Sequence, residues 1–378
     1  MKIQILSENL KQAVAAVVKL SPERSTLPVL SNLKLEADNG RLAVAASNLE
    51  VSMVVWASCK VHEPGSVTIP ARLMSDLVHS FPQGELIDLA LNVKTVTLAF
   101  RGDKAGRHQL KGIEAAEFPL IPDQLDGGAT LNIPAEEFVG AVGRVAYAAA
   151  SDQSRPILGG IHLNSDGLVA ELVTADGFRL AQVKLSSAPS APVRATLPVK
   201  AVVEFASKLA VRDPGVLHMV VSDSKVILHA EAGFVVSQLI EGEYPKYQTI
   251  VGATDSPTGT FDCVVADFLQ AARIVEHIAE HSSHTMRLCL DPEHEQGKLT
   301  AVAAEYGNSE NLFAISNVHG EFPKEVGING KYLAEALMAC PSETVQMGLL
   351  TPVSPMRLSS VGVPQTWLNV IMPLSIGK

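Results

Sequence analysis

The sequence has few cysteines, fewer basic than acidic residues and no long apolar run. Its 378 residues include four cysteines, none in a C-x-x-C arrangement, so neither a disulfide framework nor a thiolate zinc site is predicted. Thirty Lys and Arg against 40 Asp and Glu give a net charge of -10, which excludes a protein that coats nucleic acid with its whole surface but allows a local basic face. No stretch approaches the roughly 18 apolar residues of a membrane helix.

Two further absences bear on compartment and chemistry. The first residues, MKIQILSENLK, place polar side chains where a secretory leader has its apolar core, which predicts a cytoplasmic protein. No P-loop, glycine-rich dinucleotide motif or G-x-S-x-G motif occurs, so nucleotide hydrolysis and serine-hydrolase chemistry lack support. We therefore expect no catalytic residue, no cofactor and no metal.

What the sequence does contain is a threefold internal repeat. Three segments share an apolar residue, two small or turn-forming residues, a base and a helical run, with spacings of 128 and 131 residues; they begin at Ile69, Leu197 and Ile328. A second set of amphipathic segments repeats at 128 and 130 residues and aligns at Leu10, Phe138 and Phe268. Two independent landmarks with nearly the same period indicate three copies of one structural unit.

Each copy carries two helical segments separated by alternating stretches that predict antiparallel hairpins. The predicted helices begin near residues 8 and 72, 135 and 200, and 266 and 331. Clusters of Pro, Gly and Asp predict linkers at residues 121–130 and 250–259. The sequence therefore predicts an α+β fold of three similar domains, residues 1–128, 129–256 and 257–378.

Five short motifs, in order along the repeats, carry a resemblance to a known family. They are TLPVLSNL at 26–33, SNLE at 47–50, ADGFRLA at 175–181, EYPKY at 243–247 and VIMPL at 370–374. With them the chain resembles, over its whole length, the β-subunit family of bacterial DNA polymerase III, the replicative sliding clamps. The resemblance implies a DNA-clamp domain in each repeat and two identical subunits closed head to tail into a ring, with helices lining a channel and sheets outside.

The resemblance also implies a function without catalysis. A ring of this kind encircles duplex DNA and acts as a processivity factor, tethering the DNA polymerase catalytic subunit, while a clamp loader opens it. Other replication and repair proteins that carry a clamp-binding peptide are implied partners, and no membrane is involved. Contacts to phosphates suit a sliding ring, because they carry no sequence information.

The family's DNA contacts match a small set of positions here. These are Arg24, Arg72 and Arg155, together with Gln153, which is offset by one residue from the family's polar position. Pro156 and Ile157 replace an aromatic pair of the best-known members, a departure that bears on stacking against an unpaired template end. Further bases, among them Lys11 and Lys208, lie in the predicted helices beside acids.

The family's partner site is a groove between the second and third domains that accepts a short, largely apolar peptide. The matching positions are Leu158, Ala175, Gly177, Phe178, Arg179, Leu180, Pro245, Ile250, Val370, Met372, Pro373 and Leu374. A methionine in such a groove can repack around different side chains. Residues 370–374 are predicted to form a closing strand against the second domain. Phe178, Thr249 and Ser375 depart from common family residues, so peptide preference is expected to differ.

Head-to-tail closure implies contacts between the first domain of one subunit and the third domain of the other. The matching positions are Arg107, His108 and Leu110 on the first domain and Ile278 and Glu305 on the third. Such a heterologous contact, between different surfaces of two identical subunits, forms a closed ring only when the rotation that relates one subunit to the next completes a full circle.

Two alternatives compete with the clamp. Residues 277–281 read H-x-x-E-H, the pattern of inverted zinc peptidases, with His284 and His294 nearby. Against a zinc hydrolase, His277 ends a helix whose two sister copies lack such ligands, and the helix dipole alone favours histidine there. A repeat scaffold that binds proteins but no DNA is the second alternative, since the net charge is negative.

Overall fold

The helices begin where the sequence period predicts them. The computed structural model describes residues 1–100, 106–152, 154–362 and 367–375. Its α-helices are α1 (Ser7–Val17), α2 (Ala71–His79), α3 (Ala135–Val145), α4 (Val199–Lys208), α5 (Tyr247–Gly252), α6 (Val265–Ala279) and α7 (Gly330–Ala339). Six of them start within one residue of the predicted positions. The short helix α5 was not predicted, and it occupies the start of the stretch expected to be a linker.

Local chemistry favours the ends of two helices, α7 and α3. Asn329 caps α7, because its side-chain oxygen accepts a hydrogen bond from the backbone N–H of Tyr332 at 3.1 Å. Helix α3 carries two acids in its first turn, Glu136 and Glu137, and Arg144 in its last, the order that the helix dipole favours. These short-range features explain why helix positions follow from the sequence.

The strands are antiparallel throughout and connect mostly as hairpins. Those of the first repeat are β1 (Lys2–Leu6), β2 (Asn32–Asp38), β3 (Arg41–Ser47), β4 (Val51–Ser58), β5 (Lys60–Glu63), β6 (Gly65–Pro70), β7 (Leu86–Asn92), β8 (Thr95–Phe100) and β9 (Gly106–Lys111). Those of the second are β10 (Ala129–Pro134), β11 (Gly160–Ser165), β12 (Ala170–Ala175), β13 (Arg179–Leu185), β14 (Val193–Pro198), β15 (Val216–Val221), β16 (Lys225–Ala230) and β17 (Gly233–Gln238). Those of the third are β18 (Gly259–Val264), β19 (Thr285–Asp291), β20 (Gln296–Ala303), β21 (Gly307–Ala314), β22 (Ser316–Gly320), β23 (Val326–Asn329), β24 (Thr344–Leu349), β25 (Met356–Ser360) and β26 (Trp367–Ile371).

Each repeat is divided between two sheets. A five-stranded sheet, β5-β1-β7-β8-β9, belongs to the first repeat and a four-stranded sheet, β21-β20-β19-β23, to the third. An eight-stranded sheet, β10-β15-β16-β17-β4-β3-β2-β6, joins strands of the first and second repeats through the β4–β17 pair. A nine-stranded sheet, β14-β11-β12-β13-β26-β25-β24-β18-β22, joins the second and third repeats through β13–β26.

By its internal contacts the chain divides into two units. The first contains residues 1–139 and 200–239, and the second contains residues 140–199 and 240–378. In the first unit Phe138 and Phe205 pack edge to face with ring centroids 5.7 Å apart, and in the second Phe268 stacks on Phe313 at 4.3 Å. Buried rings therefore join helix to helix and helix to sheet. None of the helices in the described ranges has the length and apolar character required to cross a bilayer.

Candidate functional site

The predicted groove lies within the second unit, where the chain's last strand pairs with β13. Leu180 faces Val370 in this ladder, and the N–H of Met372 donates to the carbonyl of Phe178 at 2.8 Å. The strand itself ends at Ile371, so the predicted closing strand over residues 370–374 is correct only at its start. Pro373 has no N–H to continue the ladder, and the N–H of Leu374 instead donates to the carbonyl of Gly327 at 2.9 Å.

Beneath these strands a hydrophobic cluster forms the floor of the groove. This groove cluster contains Leu158, Val173, Leu180, Tyr244, Tyr247, Leu368 and Val370, with Ala150, Ile157, Ala175 and Val251 packed against it. Four predicted positions, Leu158, Ala175, Leu180 and Val370, thus come together from distant parts of the sequence. Phe178 and Ile250 remain 61% and 42% exposed, and Pro245 is also exposed.

The matched positions omitted four members of this cluster, Val173, Tyr244, Tyr247 and Leu368. The two tyrosines belong to the EYPKY motif and could have been selected from it, whereas Val173 and Leu368 lie outside every motif. An alternating pattern of apolar and polar residues could not have identified Leu368 either. All five residues of β26 are buried, so this strand has no exposed face to produce such a pattern.

A tight turn presents Phe178 at the groove. The Asp176 carboxylate accepts hydrogen bonds from the N–H groups of Phe178 and Arg179 at 2.9 and 3.0 Å. Gly177 has φ of +93°, a backbone conformation that favours glycine. This Asx turn fixes the backbone of Phe178 while leaving its ring in solvent.

Arg179 is the centre of a buried ionic network. Its side chain, 8% exposed, donates to Asp176 at 3.0 Å, to Glu335, and to the carbonyl of Tyr147 at 2.7 Å. The guanidinium also lies over the ring of Tyr332, 4.3 Å from its centroid. The guanidinium therefore links the turn to α7 inside the fold, whereas the family resemblance predicts Arg179 among the peptide-contacting residues.

Aromatic and polar groups support the groove cluster from below. His162 stacks on Tyr244 with ring centroids 4.4 Å apart, and its Nδ1 lies 3.1 Å from Thr196 Oγ1. Burial lowers the pKa of His162 to about 4, outweighing the attraction of Glu171. Tyr247 bonds to Asn164 at 2.9 Å and to Glu171, and burial raises the pKa of its hydroxyl. The side chains of His162 and Tyr247 are therefore uncharged at pH 7, and each is held by a side-chain hydrogen bond.

The arginines predicted to contact DNA are all exposed. In the first unit Arg24 lies in the loop after α1, and Arg72, in the first turn of α2, pairs with Glu23. In the second unit Arg155 immediately precedes a short 3-10 helix, residues 156–159, that begins with Pro156. Gln153 lies outside the described residues. The cationic groups available to a phosphate backbone are thus spread over both units.

The residues predicted to close a ring lie on two edge strands or near them. Within the described residues β9 pairs only with β8, and β21 pairs only with β20. Arg107 on β9 is exposed, whereas Leu110 is 5% exposed and packs inside its own sheet's core. Ile278 is half-buried on α6, and Glu305 is exposed in the turn before β21.

His281 of the H-x-x-E-H run and the nearby His284 and His294 each have a local partner. His281 stacks on Tyr306 with centroids 3.8 Å apart, His284 bonds to Glu276, and His294 bonds to Asp291 at 2.8 Å. Across the described ranges, no group of three or more His, Cys, Asp or Glu side chains is arranged to hold a metal ion. The geometry therefore gives no support to the zinc-hydrolase alternative.

Comparison with known proteins agrees with this architecture. Curated relatives include the beta sliding clamps of Synechococcus elongatus, 28% identical over 392 residues, and of Escherichia coli K12, 26% identical over 379 residues; each match covers both chains completely. Among solved structures, the DnaN sliding clamp of Pseudomonas aeruginosa bound to griselimycin and the DNA polymerase beta subunit of Streptococcus pyogenes both superpose with a TM-score of 0.90, at 24% and 21% identity, over the full length of both chains.

Family models divide the chain into three matched segments. Residues 1–122 match the N-terminal domain of the DNA polymerase III beta subunit, residues 132–246 its central domain and residues 260–375 its C-terminal domain. None of these matches points to a hydrolase, so the zinc-hydrolase alternative is not supported. The chain belongs to the DNA polymerase III beta subunit family.

Proposed function

We propose that this chain is a DNA sliding clamp, a ring that encircles duplex DNA and tethers the replicative polymerase to it. The observation that carries the proposal is the way three repeats share their sheets. At each junction, β4–β17 and β13–β26, a strand of one repeat pairs with a strand of the next, so that one sheet runs across both repeats. The same kind of pairing can add a further copy at a free sheet edge. The family matches to residues 1–122, 132–246 and 260–375 support domains at 1–128, 129–256 and 257–378.

Closure of the ring uses two of the sheet edges, β9 of the five-stranded sheet and β21 of the four-stranded sheet. Strands β9 and β21 each leave one side of their backbone without a strand partner in the described chain, and such edges readily pair with another copy. A head-to-tail contact of β9 with the partner's β21 region is heterologous and closes into a dimer. Arg107 and His108 supply side chains at this contact, against Ile278 and Glu305, while Leu110 acts by keeping β9 packed on its own sheet.

The groove in the second unit is the docking site for partner proteins. Phe178, Ile250 and Pro245 stay exposed above a fully buried floor, an arrangement that suits the apolar side chains of an extended peptide. Met372 is half-buried at the groove's end and can adjust to different peptides. Polymerase, clamp loader and repair proteins then compete for one site.

Arg24, Arg72 and Arg155 supply phosphate contacts to the encircled duplex. Each is exposed, and arginine holds its charge at every relevant pH. Because such contacts are indifferent to base sequence, the ring slides. The role is non-catalytic, requires no cofactor and belongs in the cytoplasm, where the bacterial chromosome lies.

Primer extension tests the proposal directly. The polymerase, clamp loader and this chain are incubated with a long primed single-stranded circle, and product lengths are compared with and without the chain. We expect extension in single binding events to lengthen strongly when the chain is present. Unchanged product lengths would contradict a processivity role and favour the DNA-independent scaffold.

A further inference from the structure

A cavity of about 320 Å³ in the first unit carries an excess of positive charge. Helix α1, the end of α2 with the residues after it, and the end of α4 with the residues after it line the cavity. Its cationic residues are Lys11, Lys208 and Arg212. Ala16, Val78 and Phe81 supply an apolar part of the lining. The partner groove lies in the second unit, so this cavity is a separate site.

The cations of this cavity are not neutralised by the protein. Lys11 and Lys208 form no ion pair with any carboxylate in the described ranges, and Arg212 donates only to the amide oxygen of Gln12, at 3.3 Å. The one carboxylate of the lining, Glu8, is already engaged: its own N–H and that of Gly84 donate to it, which lowers its pKa. In a chain of net charge -10, three cations around one cavity form a local anion-attracting site.

The combination of charge and apolar surface selects a class of ligand. A bare inorganic anion would use the cations alone, whereas an apolar molecule would leave them unsatisfied. A volume of about 320 Å³ lies at the small end of the roughly 300–1,000 Å³ typical of small-molecule sites. One phosphate joined to one sugar and base matches both the size and the chemistry.

We propose that this cavity binds a phosphorylated nucleoside, with its phosphate on Lys11, Lys208 and Arg212 and its sugar and base against the apolar lining. Two sources share this chemistry: a nucleotide unit of single-stranded DNA and a free nucleotide. The DNA source rests on the clamp function proposed above. Paired bases of a duplex cannot enter the cavity, so a duplex would contact its cations only.

The test measures binding of fluorescein-labelled dT10 to the full-length chain by anisotropy at low salt. The double variant Lys11→Ala/Lys208→Ala should bind about tenfold or more weakly, because two charge-assisted phosphate contacts are lost. Lys2→Ala/Lys60→Ala, which removes two exposed lysines from β1 and β5, is the matched control with the same charge change and should bind within about twofold of wild type. Equal weakening by the two double variants would overturn the proposal, since it would show general electrostatic attraction.

A third variant separates a nucleoside from a bare phosphate. Ala15→Trp fills the cavity from α1 without changing charge, and it should abolish dT10 binding while inorganic phosphate still protects the chain against thermal unfolding. Ala15→Leu replaces it if the Trp variant fails to fold. Unchanged dT10 binding in the filled variant would overturn the proposal.

Competition identifies the source of the ligand. Displacement of dT10 by dTMP at similar nucleotide concentration assigns the site to free nucleotides, and displacement only by unlabelled oligonucleotide assigns it to a DNA strand. None of these binding measurements requires a ring loaded on DNA. If the proposed clamp function failed, primer extension would show it, and the binding results for this cavity would still stand.

Discussion

The same backbone turn occurs in both units, 128 residues apart, with different side chains. In the second unit Asp176 accepts from the N–H groups of Phe178 and Arg179; in the first, Asn48 accepts from those of Glu50 and Val51, at 3.0 and 2.7 Å. In both units a backbone N–H at the end of the neighbouring strand, or just after it, donates to the turn: Met372 to the carbonyl of Phe178 at 2.8 Å, and Gln238 to that of Glu50 at 2.9 Å.

The difference lies in what the two turns carry. Phe178 corresponds to Glu50, and the buried Arg179 to Val51. The hydrophobic cluster below the first turn contains Ala45, Val54, Ile227, Phe234 and Val236, without the two tyrosines and stacked histidine of the groove cluster. The repeat thus supplies the framework twice, but only the second copy has an exposed ring on its turn and two tyrosines in the cluster below, whereas the first has Phe234 with Trp56 packed against it. Four pairs of substitutions at equivalent positions test this contrast.

The largest effect is expected at Arg179. Replacing it with Ala leaves Asp176 and Glu335 without their buried partner, which should lower the free energy of unfolding by about 3–5 kcal/mol. Val51→Ala at the equivalent position should cost only about 2 kcal/mol, since it removes buried methyl groups alone. Urea unfolding followed by circular dichroism measures both. Equal losses would show that the network contributes nothing beyond packing.

His162 should make the groove cluster sensitive to acid. Its pKa is about 4 when folded and about 6.5 when unfolded, so the unfolded chain binds the extra proton between these values. Stability should therefore fall as pH drops from about 6.5 to 4, by roughly 3 kcal/mol in total from this residue.

The matched control for His162 is Lys34, the residue at the equivalent position of the first repeat. His162→Gln should flatten the pH dependence, while Lys34→Gln at the equivalent position, half-buried and paired with Glu36, should leave it as in wild type. Urea midpoints at several pH values give the measurement. An unaltered slope in His162→Gln would show that this imidazole titrates normally.

Phe178→Ala should weaken binding of a labelled clamp-binding peptide by about 2 kcal/mol, or roughly 30-fold. The reason is that its ring is 61% exposed above the groove cluster and is free to contact a ligand. Glu50→Ala should leave affinity unchanged, because its turn carries no exposed ring and the cluster below it lacks the two tyrosines. Anisotropy titrations with the polymerase's peptide decide the matter, and a weaker Glu50→Ala or an unaffected Phe178→Ala would reverse the assignment of the site.

The smallest effects concern the turns' left-handed residues. Leu49 has φ of +74° and Gly177 has φ of +93°. Leu49→Gly should raise stability by about 1 kcal/mol and Gly177→Ala should lower it by about as much, because a Cβ strains this conformation. Space is not limiting at Gly177, where a Cβ would lie 4.0 Å from its nearest neighbour, Arg155 Nη1. Thermal unfolding should shift in opposite directions, and shifts of one sign would contradict the strain argument.

The sequence predicted helices better than sheets, for a physical reason. Helix starts depend on local period and capping, and six were predicted within one residue. The pairing of β4 with β17 joins residues about 180 positions apart, and no local pattern specifies such a partner. Motifs also assign positions and not side-chain directions. They therefore placed Arg179 among the ligand contacts, although three of its five side-chain N–H donors are used inside the fold.

The central claim is that this chain holds DNA by topology. The most direct measurement loads the protein onto nicked circular duplex DNA, removes free protein by gel filtration, and then linearises half of the sample with a restriction enzyme. The account predicts that the protein stays with the circle and is lost from the linear DNA, at salt high enough to abolish ordinary phosphate binding. Equal retention on circular and linear DNA, or none on either, would contradict it.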